Sequence, residues 1–165
     1  DVMKMIKEGQ GGKKVESFNV SYALTIEKQG KANLTEGQVK EKMLSLISEL
    51  QGLYDELGKA RLAHKASYDK KAWDTWSDSW SLRLKKIKAR LYEISGNSFS
   101  LFPRAQNSID NAIRNLSNLR SVYSMEVRDP VKFAELSKNA GAGPALLTQT
   151  FRESLKGAMA EVNSN

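Results

Sequence analysis

The sequence predicts an all-α protein, an up-and-down four-helix bundle preceded by an extended N-terminal segment. Two observations predict the helices. Apolar residues recur three and four apart in long seams, and short stretches rich in Gly, Asn, Asp and Pro separate those seams. A third observation sets the N-terminal segment apart. Phe18, Val20, Tyr22, Leu24 and Ile26 alternate with Asn19, Ser21, Ala23 and Thr25, a period of two that belongs to extended backbone. The chain accordingly divides into an N-terminal arm, residues 1–34, and a helical bundle domain, residues 35–165.

Within the arm, Gly9-Gln10-Gly11-Gly12-Lys13-Lys14 reads as a linker. No second alternating run exists to pair with residues 18–26, so that segment either lies on the helical body or adds to a partner. The first helix opens at Thr35, with Gln38 three residues on completing a capping-box pattern. Its seam is Val39, Met43, Leu46, Leu50, Leu53, Leu57 and Ala60, an apolar stripe that needs a neighbouring helix to cover it.

The seam slips near Ser67 and Asp69, which predicts a turn or kink there. A second stripe then runs through Trp73, Trp76, Trp80, Leu84, Ile87, Leu91 and Ile94, and Gly96-Asn97 is expected to end it. The third stripe is Phe102, Ala105, Ile109, Ala112, Leu116, Leu119 and Tyr123, with Pro103 in the first turn. Asp129-Pro130 reads as an N-cap followed by Pro at the first helical position. The short helix it opens carries Val131, Phe133, Ala134 and Leu136. After the break at Gly141-Ala142-Gly143-Pro144, a last helix places Leu147, Phe151, Leu155, Met159 and Val162 on one face.

The 165 residues suit one domain with a single substantial core, and 40% hydrophobic with 27% charged residues is ordinary for a globular chain. No apolar run approaches the ~20 residues that cross a bilayer. The start at Asp1 suggests a processed mature form or a trimmed chain. Cysteine is absent, which removes disulfides, thiolate metal sites and Cys nucleophiles. The net charge of +7 implies an acidic partner: nucleic acid, an anionic membrane surface or an acidic protein face.

Chemistry-bearing clusters are sparse. The single histidine, His64, has no cysteine or second histidine to share a metal, and reads as a partly buried helix residue. Asp74 and Asp78 lie one turn apart on the flank of the Trp stripe and read as solvated surface. Gly9, Gly11 and Gly12 follow no strand and form no phosphate cradle. Asn19-Val20-Ser21, Asn33-Leu34-Thr35 and Asn115-Leu116-Ser117 match the glycosylation sequon as chance occurrences in an Asn- and Ser-rich chain. The three tryptophans continue directly into Leu84 and Ile87, so they read as core and not as a stacking platform. No catalytic residue, cofactor or metal ligand is therefore expected, and the chain is read as a non-enzyme.

What remains is charge. Arg83, Lys85, Lys86, Lys88 and Arg90 cluster with no acid between Ser79 and Tyr92. They form either a solvated basic face or an electrostatic docking face, to which Lys13, Lys14, Lys70 and Lys71 add positive points.

The order of several short motifs is similar to a known family. Thr35-Glu36 opens the first long helix, and Tyr68-Asp69-Lys70-Lys71-Ala72-Trp73 leads into the second. Leu82-Arg83-Leu84 follows, and Ser108-Ile109-Asp110-Asn111 lies in the third. From about Leu34 to Val162 the chain resembles the PsbQ family, the extrinsic oxygen-evolving enhancer proteins of photosystem II. The Asp-Lys-Lys-Ala-Trp stretch is the most specific part.

The resemblance implies a four-helix bundle in the chloroplast thylakoid lumen, peripheral to the membrane. It implies docking on the lumenal face of photosystem II subunits and other extrinsic proteins, which helps retain calcium and chloride, with no catalytic residues. The chain departs from land-plant members in lacking a Pro-rich N-terminal stretch and in its Gly-Ala-Gly-Pro break. Two other readings stand beside it: a PsbQ-like lumenal subunit of the chloroplast NADH dehydrogenase-like complex, and a basic helical nucleic-acid-binding or coat protein.

Overall fold

The computed structural model describes residues 34–98, 101–140 and 143–164. The linker at residues 9–14, the alternating segment at 18–26, Lys13, Lys14, the first sequon and Asn33 of the second lie outside the described residues. Among the described residues the secondary structure is entirely helical: α1 (Glu36–Ala66), α2 (Lys70–Ser98), α3 (Pro103–Arg128), α4 (Pro130–Ala140) and α5 (Gly143–Ser164). No helix among them is long and apolar enough to cross a membrane.

The junctions that lead into α2 and α4 use one device. Asp69 accepts a hydrogen bond from the Ala72 amide on Oδ2 at 2.8 Å, and its carbonyl accepts from Trp73 N–H at 2.9 Å. Asp129 does the same for α4, accepting from the Lys132 amide on Oδ1 at 3.1 Å and from Phe133 N–H on its carbonyl at 2.9 Å. Each aspartate thereby satisfies an amide that the first helical turn would leave unpaired. Phe102, which precedes α3, has no such side chain. There Pro103 at the helix start has no N–H to satisfy, and the Ala105 amide donates to the carboxylate of Glu161 on α5. The start of α5 uses Gly143, whose φ of 43° lies in the left-handed region that glycine adopts without strain.

Helices α1 and α3 occupy the middle of the packing: each touches the other, α2 and α5, and α3 also carries α4. This explains why their buried stripes are wider than the seams predict. Ile47 joins Leu46 in α1, and Ile113 and Val127 join the stripe of α3, all at 5% exposure or less. A helix covered from several directions needs more than one row of apolar side chains. Ala60, at the end of the α1 seam, is only partly buried.

Two expectations are corrected. Gly96-Asn97 does not end the second helix, which runs on to Ser98. Ile94 is buried at 4% exposure and holds that last turn against the core, outweighing the ~1 kcal/mol by which glycine disfavours a helix. Met159 is 45% exposed, and Ala158 takes its place in the α5 stripe with Phe151, Leu155 and Val162. Two successive four-residue steps from Phe151 drift about 80° around the helix axis, whereas a step of four and one of three stay within about 20°.

The tryptophans are core. Trp73 and Trp80 are 2% and 1% exposed, and Trp76 between them is half-buried. Their ring N–H groups are satisfied: Trp80 donates to the Leu53 carbonyl of α1 at 2.9 Å, and Trp73 donates to Ser124 Oγ of α3 at 3.0 Å. His64 meets the Trp73 ring edge-on at 5.2 Å.

Candidate docking surface

The basic cluster of α2 is not one face. Successive residues of a helix turn by about 100°, so Arg83, Lys86 and Arg90 share one flank while Lys85, Lys88 and Tyr92 share the other. The first flank turns toward α1, where Arg83, Lys86 and Arg90 line a shallow groove with Glu49, Gly52 and Leu53.

Two of the five cations are spent there. Arg83 donates from both terminal nitrogens to Glu56, at 2.6 and 2.8 Å. Arg90 makes the equivalent two-pronged contact with Glu49. The Arg83 hydrogen bonds hold the Glu56 carboxyl below its ordinary value, and those of Arg90 do so for Glu49, in both cases against a smaller upward push from burial. These pairs staple α2 to α1, and both arginine side chains stay about half exposed.

The remaining cations face solvent. Lys85, Lys86 and Lys88 are exposed and make no ion pair among the described residues. Lys88 sits 5.8 Å from the ring centre of Tyr92, itself 56% exposed. Lys85, Lys88 and Tyr92 thus form a solvent-facing strip of two lysines and an aromatic ring. At the start of α2, Lys70 is paired with Asp74 at 2.7 Å, while Lys71 is exposed without a pair.

A second charge cluster escaped sequence reasoning. Glu126 of α3 is almost fully buried and accepts two hydrogen bonds from Arg61 of α1, at 2.8 and 2.9 Å. Lys65 adds a third contact at 2.8 Å. Burial pushes the Glu126 carboxyl upward, but the hydrogen bonds from Arg61 and Lys65 outweigh it, and the group lies below its ordinary value. Arg61 also lies over the Tyr123 ring at 4.9 Å. Nothing in the sequence marks this trio, because Glu126 stands 65 residues from Arg61. Its two cations are matched to one carboxylate, which suits a brace between helices.

Among the described residues no group of three His, Cys, Asp or Glu side chains could hold a metal ion. Asp74 turns to Lys70, and the side-chain nitrogen of Asn115, in the third sequon, is buried without a partner. An oligosaccharide cannot be attached to a nitrogen so placed. The chain matches no protein-family model, no curated protein and no solved structure.

Proposed function

We propose that the chain is an extrinsic, lumenal subunit of photosystem II of the PsbQ type. In this reading α1, α2, α3 and α5 form an up-and-down four-helix bundle that docks on the oxygen-evolving complex, steadies it and helps it retain calcium and chloride. The observation that carries the reading is the role of the motif on which the resemblance rests. Asp69 caps α2, and Trp73 is buried against His64 and bonded to Ser124. Asp-Lys-Lys-Ala-Trp therefore joins the first two long helices and ties them to the third. A motif with so definite a task at a helix junction is a better family marker than one scattered over a solvated surface.

The mechanism is mechanical and electrostatic. A net charge of +7 speeds encounter with an acidic lumenal surface, and the strip of Lys85, Lys88 and Tyr92 supplies contact once docked. Exposed charge contacts are screened within about 8–10 Å at ordinary ionic strength, so the complex is expected to be salt-labile. The test is to purify photosystem II from the source membranes and identify its subunits by mass spectrometry before and after a concentrated salt wash. The chain should be present before and lost after, with oxygen evolution then dependent on added calcium and chloride. Recovery in the NADH dehydrogenase-like complex instead, or retention through molar salt, would overturn the proposal.

A further inference from the structure

The space beneath α4 takes no part in the docking strip. Its walls come from three helices: Val122 and Met125 of α3, Phe133 and Leu136 of α4, and Pro144 in the first turn of α5. Together they bound about 590 Å³, inside the ~300–1,000 Å³ range of small-molecule pockets. The chain turns at Asp129, so α3 and α4 diverge from an apex there. That apex carries Arg128 and Lys132, which also line the cavity. Neither cation makes an ion pair among the described residues; Asp129 lines the same end, its Oδ1 accepting from the Lys132 amide, so two cations stand there against one carboxylate. The result is an apolar bay with positive charge at one end. At its mouth Met125 and Leu136 stay 48% and 57% exposed.

We propose that this bay binds a single-headed anionic amphiphile, an aliphatic chain ended by a carboxylate. The head lies at Arg128 and Lys132, and the chain lies between α3 and α4. Charge complementarity selects this occupant, because the two cations outnumber the single Asp129 carboxylate at one end of the bay and, Ser137 apart, its side-chain walls are apolar.

Calorimetric titration of the full chain with laurate, below its micelle concentration, tests the assignment, with dodecanol as the uncharged counterpart. Laurate should bind at a single site about tenfold or more tighter than dodecanol, as charge-assisted contact with the head requires. Arg128→Gln combined with Lys132→Gln should bring laurate down to the level of dodecanol, and Leu136→Glu should weaken both. These three side chains are exposed, and circular dichroism checks that each variant keeps its helices. Absence of laurate binding, or equal binding to wild type and both variants, would overturn the proposal. So would a result in which laurate fails to bind while Leu136→Glu loosens the chain from its membrane complex, since the bay would then serve a protein partner.

Discussion

Glu126 is the residue on which the interior charge balance depends. A buried carboxylate is costly unless paired and hydrogen-bonded, and here Arg61 and Lys65 supply three contacts from α1. Both cations are about a third exposed, so the pairing is partly screened. Glu126→Gln should cost about 1–2 kcal/mol, lowering the melting temperature by about 2–8 °C at neutral pH. The pH dependence has a definite sign. The folded-state carboxyl lies below its ordinary value of 4.5, so its contribution is complete above that value and disappears as pH falls through the lower one. Melting curves of wild type and Glu126→Gln over roughly pH 3 to 7 should therefore converge in acid. A gap that stays constant over that range would show that ionisation of Glu126 is not the source of its contribution.

Helix junctions are the next scale. Asp69 and Asp129 cap α2 and α4 with the same pair of bonds, so their removal has a comparable expected effect. Asp69→Ala should cost about 1 kcal/mol, whereas Asp69→Asn, which keeps the acceptor, should cost a few tenths. Denaturant unfolding of the three proteins checks this, and an Asn variant as unstable as Ala would remove the cap from the explanation. At Asp69 the slip of the seam predicted only a turn or kink, whereas the Asp129 cap was legible in the sequence because it involves residues three apart. The cap of α3 was not, since its acceptor, Glu161, lies 56 residues away on another helix. The Trp stripe was legible as core because its spacing runs straight into Leu84 and Ile87. Ile47 and Ile113 were missed because a single seam describes a helix with one neighbour, and α1 and α3 have several.

For the whole molecule the question is how a charge of +7 is spent. Arg83 and Arg90 hold α2 to α1, while Lys85 and Lys88 face outward. The combined change Lys85→Gln and Lys88→Gln should leave the melting temperature within a degree or so and weaken docking by roughly 3–10-fold, as two exposed charge contacts would. Arg83→Gln should do the reverse, with a small loss of stability and unchanged docking. A co-sedimentation assay with salt-washed membranes, run against increasing salt, separates the two. Equal effects of both changes on docking would mean that the partner contacts the α1–α2 groove as well as the outer strip.

The sequence by itself determined that residues from 35 onward build amphipathic helices and where most of them turn. It also determined that the tryptophans are interior and that the chain is strongly basic. These are properties of spacing, local capping and composition, and each is decided within a few residues. Only the tertiary structure decided which charges face each other. It sent Arg83 to Glu56, Arg90 to Glu49 and Arg61 to Glu126, and opened the bay beneath α4. Such pairings depend on the rotation and register of one helix against another, and the packing of many side chains sets both at once.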